Sequence, residues 1–314
     1  MISFIFLYLH DHSQLQEYRN QATEKTLNIN HRERLEKRSE RVKHTCNEFN
    51  NSMKLEHNAL YFKEKIANPC TGTHFQLADR SNFICNVLKG GSTSWEMFFA
   101  ENRIVHTKIA DCYDDVKKCP DTSDIKIIQV RHPFERLLST YRHLFKNGGW
   151  KSLDAAHLSD PKLERDFIRL FSKSWPQFVE EVVIQNELYI KEDDLRNINH
   201  PGSWLKTHWA PYWWTCDVCG QLPDFVLKTE TLPWDLPVLL KSFGLESNLN
   251  FPDIRVTGSD DDFSEGNRVT KEFIGKYYSR LIRRQILELW EIYKTDFLLF
   301  DYSIDKYLEM LEEL

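Results

Sequence analysis

The fold class is decided by residues 82–95, which read Asn-Phe-Ile-Cys-Asn-Val-Leu-Lys-Gly-Gly-Ser-Thr-Ser-Trp. Phe83, Ile84, Val87 and Leu88 are apolar residues of the kind found in a strand buried in a parallel sheet. Three hydroxyl residues favoured at helix N-caps follow the glycines, and a helix is predicted over Trp95–Glu101. The stretch therefore predicts a strand, a tight loop and a helix in succession, as in an α/β sheet.

The loop of this unit has the composition of an anion site. Glycines permit positive φ and a close backbone approach. A glycine loop at a helix N-terminus also presents N–H groups and the positive end of the helix dipole to a ligand. Taken alone, the loop is equally well explained as an ordinary strand–helix turn. The residues predicted to bind the anion are Lys89, Gly90, Gly91, Ser92, Thr93 and Ser94.

The order of residues in this loop differs from that of a kinase phosphate loop. The Walker pattern places Lys after the last Gly and beside a Ser or Thr, whereas Lys89 precedes both glycines. No later strand ends in a clear magnesium-binding Asp. The loop is therefore predicted to hold a phosphate-like anion without a metal.

A second strand–turn–helix unit lies in residues 124–142, DIKIIQVRHPFERLLSTYR. Pro133 suits the first turn of a helix, where its missing N–H costs little. Arg131 stands at the carboxyl end of the predicted strand, where open α/β sheets bind ligands. Ser139 follows eight residues later, about two helical turns on. A guanidinium fork and a hydroxyl in this arrangement are suited to a phosphate.

Residues 131–142 resemble the 3′-phosphate-binding signature of Golgi carbohydrate sulfotransferases, in the group of the chondroitin and dermatan 4-O-sulfotransferases and the HNK-1 sulfotransferase. Residues 89–95 are similar to the 5′-phosphosulfate loop of that family. The loop departs from the family at Leu88, where Pro is usual, and at Gly91, where a somewhat larger residue is common. The resemblance continues through residues 208–219 and 296–302, and so covers about the last three quarters of the chain.

The resemblance implies an α/β, three-layer P-loop-like sulfotransferase fold with a central parallel sheet. It implies a transferase that moves sulfate from 3′-phosphoadenosine 5′-phosphosulfate to a sugar hydroxyl of a glycosaminoglycan or glycoprotein glycan, with no metal. Lys89 and the loop would hold the 5′ end of this co-substrate, and Arg131 and Ser139 its 3′-phosphate. The acceptor would be a chondroitin- or dermatan-like glycan or an N-glycan.

By the same resemblance, the protein would be a type II membrane protein of the Golgi lumen. Residues 1–9 are apolar, but they are far shorter than the roughly 20 residues that span a bilayer. From these residues alone an N-terminus without a signal is favoured, whereas the resemblance implies a possible remnant of a membrane anchor. Residues 10–76 are predicted to form a charged stem and helical arm, and residues 77–314 the sulfotransferase domain. The net charge of −6 gives no support for nucleic-acid binding.

Sulfuryl transfer also needs a proton acceptor, for which His is suited near neutral pH. His106 and His208 are the best placed histidines, although a packed or surface imidazole explains each equally well. Glu135 and Glu230 are the carboxylate alternatives. Glu135 lies beside two arginines, and we expect it to form an ion pair instead.

Seven cysteines are present, and local bridges are expected for Cys112 with Cys119 and for Cys216 with Cys219. A zinc half-site or a redox pair are alternatives for the last two. Trp209, Trp213 and Trp214 are candidates to line a sugar groove, while Trp175 is expected in the core. A long amphipathic helix is predicted over residues 269–293, with Arg280, Arg283 and Arg284 on its polar side.

Two other functions remain open from the sequence. The first is a nucleotide kinase, which would need ATP and magnesium. The second is a non-catalytic glycan-binding relative that has kept the fold. Binding of adenosine 3′,5′-bisphosphate distinguishes the transferase from both.

Overall fold

The fold is known from a computed structural model, which describes residues 30–49, 72–77, 80–85, 87–109, 124–148, 165, 168–185, 207–245, 249 and 273–312. The strands are β1 (Gly72–Leu77), β2 (Arg80–Cys85), β3 (His106–Ile109), β4 (Ile125–Val130) and β5 (Phe225–Lys228). The helices are α1 (residues 30–49), α2 (Ser92–Glu101), α3 (Pro133–Tyr141), α4 (Trp175–Gln177), α5 (Tyr212–Thr215), α6 (Val218–Gln221), α7 (Leu232–Ser242), α8 (Ile274–Tyr278), α9 (Arg283–Phe300) and α10 (Asp305–Glu312). Single wider π-helical turns, Arg142–Lys146 and Phe178–Ile184, extend α3 and α4.

The five strands form one mixed sheet in the order β3-β1-β2-β4-β5. β2, β4 and β5 are parallel, whereas β1 is antiparallel to both of its neighbours. The expectation of a parallel central sheet was therefore wrong for β1, the one of the five strands that runs against the other four. Only two residues separate β1 from β2, and so short a connection allows antiparallel pairing alone.

The sheet lies between two helical layers. Along β4, Ile127 faces a cluster with Trp95, Phe98 and Leu239 of α2 and α7. Its neighbour Ile128 faces the other cluster, which contains residues of α1, α5 and α9. This alternation is the period of two expected of a strand buried on both faces.

Most of the locally predicted elements are confirmed. β4 covers the predicted strand, and Pro133 lies in the first turn of α3. Two predictions were wrong, namely the start of α2 and the unbroken helix over residues 269–293. α2 begins at Ser92 with Gly91 as its N-cap and no side-chain cap, so the hydroxyl residues lie inside its first turn.

The predicted helix over residues 269–293 is interrupted in the part that the structure describes. α8 ends at Tyr278 and α9 begins at Arg283. Between them Ile282 is extended, with φ −90° and ψ 157°. Its N–H donates to Gln285 Oε1 at 3.1 Å, so a side chain caps the new helix where the periodic pattern gave no break.

α1 packs onto the sheet domain as part of its core. Leu35, Val42 and Cys46 on one face of the helix are 2%, 0% and 1% exposed. A disulfide joins Cys46 to Cys219, and the helix contacts two carbonyls of the β5 region through Arg38 and Ser39. The sheet itself starts at Gly72, before the boundary expected at residue 77.

The observed disulfides correct the expected local pairing of Cys216 with Cys219. Cys219 pairs with Cys46, and Cys216 pairs with Cys85 at the end of β2. Both bridges join segments that are distant in sequence, which spacing along the chain cannot indicate. Cys112 and Cys119 lie outside the described residues.

Four of the seven tryptophans that the structure describes are buried. Trp175 is buried as expected, but Trp209 and Trp214 are also buried, at 6% and 4% exposure, which contradicts their assignment to an open sugar groove. Trp213 is half-buried. Among the described helices, none is both long and apolar enough to cross a membrane.

Candidate active site

The Lys89 loop, residues 87–91, is a tight turn at the carboxyl end of β2. Gly90 N donates to Val87 O at 3.0 Å. Lys89 adopts a left-handed backbone with φ 63°, and Gly91 has φ 121°. The chain then enters α2, where Ser94 N already donates to Gly91 O at 3.0 Å, so the Ser92 and Thr93 amides are the ones at the helix N-terminus without an acceptor in the preceding turn. Lys89, both glycines and Ser92–Ser94 are thus brought together at one helix N-terminus, where an anion is favoured.

The side-chain amide of Gln129 in β4 packs against this loop at Gly91. A Cβ on Gly91 would lie 2.1 Å from Gln129 Nε2, so the two groups are in direct contact. Gln129 Oε1 accepts from Trp95 Nε1 at 2.7 Å, and Nε2 donates to Thr229 Oγ1 at 3.4 Å. One amide therefore joins the loop, α2 and the residue after β5.

Arg131 follows β4 at the same edge of the sheet. The register pairs Cys85 of β2 with Ile128 of β4, so the Lys89 loop and Arg131 leave two adjacent parallel strands side by side. The Arg131 side chain is 15% exposed, and its Nε lies 3.7 Å from Glu135 Oε2. Lys306 Nζ binds the other oxygen of Glu135 at 3.1 Å, which confirms Glu135 as an ion-pair residue. Ser139 lies two turns along α3 and is half-buried.

His132 holds the start of α3 in place. Its Nδ1 accepts from Phe134 N at 3.2 Å, which leaves the proton on Nε2 to donate to Ser303 O at 3.1 Å. Its backbone N–H donates to Glu230 Oε1 at 2.9 Å. Burial is the main cause that lowers the pKa of His132 from 6.5 to about 4, so the ring is neutral near pH 7.

Arg136 is the second arginine of the signature, and it is buried at 1% exposure. Its guanidinium donates to three backbone carbonyls, Leu88 O at 3.1 Å, Ala210 O at 2.7 Å and Thr207 O at 3.1 Å. Its Cζ also lies 4.6 Å from the centre of the Tyr212 ring. Arg136 is therefore turned inward and is not available to a ligand.

Tyr212 lies between the two loops. Its hydroxyl accepts from Arg131 N at 3.1 Å, and a Cβ on Gly90 would meet the same oxygen at 2.6 Å. Burial raises the pKa of Tyr212 to about 12, so it is a neutral phenol. Asp296 of α9 accepts from the backbone N–H groups of Tyr212 and Trp213, each at 2.8 Å. Burial raises the pKa of Asp296 to about 7, against the lowering effect of those hydrogen bonds and of Arg136.

The third parallel strand also ends in charged residues at this edge. Lys228 of β5 pairs in register with Val130, and Glu230 follows it. Lys228 Nζ donates to Asp301 O at 3.2 Å and lies 4.1 Å from the centre of the Tyr302 ring. Burial, with repulsion from Arg38, lowers the pKa of Lys228 to about 8. Glu230 accepts from Tyr302 Oη at 3.2 Å as well as from His132.

Of the two histidines expected near the reaction, His106 lies away from this edge, whereas His208 lies between Thr207 and Ala210, whose carbonyls bond Arg136 together with that of Leu88. His106 is the first residue of β3 and is level with Asn82, about 10 Å before the end of β2 at a strand rise of about 3.3 Å per residue. Its Nδ1 bonds Ile104 O at 3.0 Å, and its ring stacks on Phe99. His208 is buried at 2% exposure, and its carbonyl accepts from Thr140 Oγ1 at 2.8 Å.

Arg284, a sequence-based candidate for anion binding, is directed elsewhere. Its guanidinium donates to Glu180 Oε2 and to Glu288 Oε2, each at 2.7 Å. These contacts lie on the outer surface of α9 and make Arg284 part of a surface ion-pair cluster.

A known family model matches the part of the sequence that carries these two loops. The model described as "Sulfotransferase family" matches residues 73–303, which include every strand from β2 to β5 and both loops. The chain belongs to the sulfotransferase family. The family suggested by the motifs is thereby confirmed.

Curated relatives of this sulfotransferase chain carry carbohydrate sulfotransferase names. It is 26% identical over 192 residues to rat carbohydrate sulfotransferase 11, which covers 60% of this chain and 49% of the relative. It is 28% identical over 194 residues to zebrafish carbohydrate sulfotransferase 10 (59% and 49%) and 25% identical over 244 residues to human carbohydrate sulfotransferase 8 (70% and 53%). The chain thus spans about half the length of these relatives. No solved structure matches it significantly.

Sequence analysis missed several residues that shape the site of this sulfotransferase. The RHPFER motif contains Arg136, and the strand before it contains Gln129. An aromatic run contains Tyr212, and a later strand ends at Lys228. Their contacts join segments far apart in the chain, so spacing alone gives no signal. Lys228 was detectable in principle, because it ends a strand that leads to Glu230, which the sequence had already given as a carboxylate alternative.

Proposed function

We propose that the protein is a carbohydrate sulfotransferase with a P-loop-like fold, which transfers the sulfuryl group of 3′-phosphoadenosine 5′-phosphosulfate to a sugar hydroxyl. Lys89 and loop residues 90–94 bind the 5′-phosphosulfate. Arg131 and Ser139 bind the 3′-phosphate, which selects this nucleotide over ATP. Family membership and the names of the relatives support the reaction class.

The observation that carries the proposal is the common contact of both loops with Tyr212. Its hydroxyl accepts the Arg131 N–H and touches Gly90, so both cationic loops face one region at the ends of β2 and β4. A nucleotide with anionic groups on both its 3′ and 5′ sides matches two such loops. ATP carries its phosphates on the 5′ side alone and would leave Arg131 and Ser139 without a phosphate.

The reaction breaks the bond between sulfur and the bridging phosphate oxygen and forms a bond between sulfur and the sugar oxygen. The sugar hydroxyl loses its proton to a base, and adenosine 3′,5′-bisphosphate leaves. Lys89 stabilises the negative charge that develops on the bridging oxygen, and the loop amides orient the sulfuryl oxygens. None of these roles needs a metal.

For the proton acceptor we propose Glu230. Of the groups weighed from the sequence, His208 is buried, His106 lies toward the other end of the strands, and Glu135 is in an ion pair. Glu230 is exposed and follows the parallel strand next to Arg131. The variant Glu230→Gln is expected to lower kcat and leave the Kd for adenosine 3′,5′-bisphosphate unchanged. A raised Kd would make Glu230 a positioning residue for His132.

A glycosaminoglycan or glycoprotein glycan is the proposed acceptor, with chondroitin- or dermatan-like chains and N-glycans as the classes to test. The Golgi lumen is the proposed compartment. The two disulfides among the described cysteines support it, because such bonds persist in oxidising compartments. A membrane anchor would have to come from residues outside the described ones.

The direct test replaces one cation of each loop and measures sulfate transfer from labelled donor to a panel of desulfated glycans. We expect Lys89→Ala to lower kcat by about 100-fold or more, the cost of losing one preorganised group at the developing charge. We expect Arg131→Ala to weaken adenosine 3′,5′-bisphosphate about 10- to 100-fold, since it removes a charged hydrogen-bond partner.

Matched controls are Lys294→Ala and Arg284→Ala, which remove the same side chains from the surface of α9. Wild-type rates in both controls are expected. Full activity in either Lys89→Ala or Arg131→Ala would reject the proposal. Glycan binding without any nucleotide binding would favour the non-catalytic relative, and magnesium-dependent ATP turnover would favour the kinase.

A further inference from the structure

We propose that Arg136 and Tyr212 are positioning residues that fix the distance between the two anion loops and so couple the 3′ and 5′ ends of the nucleotide. The inference rests on the proposed function, because it concerns how the same site holds a two-ended ligand. It assigns to the second arginine of the RHPFER motif a role different from that of the first. Arg131 is placed to touch the ligand, whereas Arg136 acts through backbone groups.

Arg136 connects the Lys89 loop to the segment before α5. The carbonyl that it bonds in the loop belongs to Leu88, the residue directly before Lys89. The other two carbonyls belong to Thr207 and Ala210, 71 and 74 residues further along the chain than Arg136. A buried guanidinium has five N–H groups in a fixed plane, so its acceptors must keep that geometry or leave donors unpaired. Leu88 is therefore held at a set distance from residues 207–210.

Tyr212 extends this connection to the second loop. The guanidinium of Arg136 lies over its ring, and its hydroxyl accepts the N–H of Arg131. A continuous path thus runs from Leu88 O through the Arg136 guanidinium and the Tyr212 ring to Arg131 N. Each step is a direct contact between fully or largely buried groups, which have little freedom to rearrange.

The far side of the path is fixed to the rest of the domain. Asp296 binds the N–H groups of Tyr212 and Trp213, and Cys216 at the end of α5 is crosslinked to Cys85 of β2. Tyr212 is therefore held both by α9 and by the strand that leads into the Lys89 loop. The spacing of the two loops is set before any ligand binds.

Preorganised spacing has a measurable consequence for binding. A ligand that engages both loops gains from their correct separation, whereas a ligand that engages one loop does not. Loss of an Arg136 or Tyr212 contact between the loops should therefore weaken binding of adenosine 3′,5′-bisphosphate. The effect should be larger than on binding of adenosine 5′-monophosphate or adenosine 3′-monophosphate. The coupling factor is the product of the two monophosphate Kd values divided by the product of the Kd values for the bisphosphate and adenosine.

The experiment measures this factor by calorimetry for the full chain and three variants. Tyr212→Phe removes the hydroxyl alone, and Arg136→Lys keeps the charge but loses the planar fork. The control Tyr293→Phe removes another buried tyrosine hydroxyl, which donates to Trp209 O at 2.6 Å, whereas the Tyr212 hydroxyl accepts from Arg131 N. We expect the coupling factor to fall about three- to tenfold in Tyr212→Phe, the worth of one hydrogen bond, and to stay unchanged in Tyr293→Phe.

The KM for the sulfate donor should rise in Tyr212→Phe by a similar factor, with kcat changed less. Equal losses for one-ended and two-ended ligands, or an unchanged coupling factor in folded Tyr212→Phe, would overturn the positioning role. Should Arg136→Lys not fold, Tyr212→Phe alone decides. A wild-type protein that does not bind the bisphosphate would instead overturn the proposed function, and the positioning role with it.

Discussion

At the scale of single residues, Gly91 is constrained in two independent ways. Its φ of 121° is a conformation that residues with a Cβ rarely adopt, and Gln129 occupies the space that a Cβ would need. The departure from the related loop motifs at this position is thus explained by a partner on β4. The Gln129 side chain fills the space that the missing side chain of Gly91 leaves beside the Lys89 loop.

We predict that Gly91→Ala lowers the free energy of unfolding by more than the roughly 1–3 kcal/mol that backbone strain costs. The added methyl group also displaces Gln129 from Trp95 and Thr229. Gly244→Ala is the matched control, because Gly244 has φ 75° but nothing within 4 Å of its would-be Cβ. Urea denaturation measures both variants.

The cost of backbone strain and the cost of the clash with Gln129 can be separated by measuring Gly91→Ala in the Gln129→Ala variant. In Gln129→Ala, the cost of Gly91→Ala should fall toward that of Gly244→Ala, since the clash is gone and only strain remains. An equal cost in both backgrounds would contradict the proposed fit between Gly91 and Gln129.

The positions of the candidate residues were predictable from sequence only where they are set locally, and the binding roles of Lys89 and Arg131 stay predictions. Lys89, the glycines and Arg131 stand at fixed offsets from their own strands, so the pattern locates them. Gln129 and Tyr212 owe their roles to partners on other elements, and His208 lies in a family-like block yet is buried. Residue type and spacing do not report such contacts.

At the scale of elements, the start of α3 is tied to the segment before α10. Buried His132 bonds Ser303 O through Nε2 and Phe134 N through Nδ1, and Phe134 packs against Tyr278 and Tyr307. The orientation of Arg131 therefore depends on residues near the end of the described chain. This dependence is sensitive to pH.

We predict that His132 destabilises the fold in acid. Its pKa is about 4 when folded and near 6.5 when unfolded, so the unfolded chain binds the proton more tightly. Its contribution is complete above pH 6.5 and is lost as the pH falls toward 4, by at most about 3 kcal/mol. Asp296 acts in the opposite sense, because its raised pKa favours the folded state below pH 4 and less so toward pH 7.

Only a comparison of variants isolates the His132 effect. The difference in unfolding free energy between wild type and His132→Gln, measured in urea at pH 7.5, 6 and 5, should shrink as the pH falls. A His132→Gln difference that does not vary with pH would contradict the prediction.

The elements around the motifs were predictable because strong local signals define them. Branched apolar residues define β4, Pro133 begins α3, and Ser174 begins α4. β1 and β3 lack such a signal, since GTHFQL and HTKI are mixed in polarity and β3 has only four residues. The break before α9 arises from a side-chain cap by Gln285, which the helical periodicity conceals.

At the scale of the whole molecule, α1 is joined to the domain through a buried carboxylate. Asp235 of α7 is fully buried, and it pairs with Arg34 and Arg38 of α1. Arg38 Nη1 lies 2.6 Å from Asp235 Oδ2, and its Nη2 donates to Thr231 Oγ1 at 3.0 Å. The charged helix that was expected in the stem is thus a structural part of the fold. Two of its basic residues form ion pairs with the buried Asp235.

We predict that Arg38→Ala lowers the free energy of unfolding by about 1.5–3 kcal/mol, the worth of a hydrogen bond to a charged group, because Arg34 still pairs with the buried Asp235. Arg32→Ala is the control on the same helix, since Arg32 is 77% exposed and pairs with Glu36 on the surface. That variant should cost less than about 1 kcal/mol. Equal thermal stability of the two variants would show that α1 does not contribute to the domain.

The long separation between α1 and its partners has a consequence for synthesis. The ribosome releases Cys46 173 residues before Cys219, and Arg38 197 residues before Asp235. At about 5–20 residues per second, the nascent helix waits roughly 10–40 s with its apolar face and its thiol uncovered. Correct production therefore depends on factors that keep this early helix from aggregating, or from forming the wrong crosslink, until α6 and α7 have emerged.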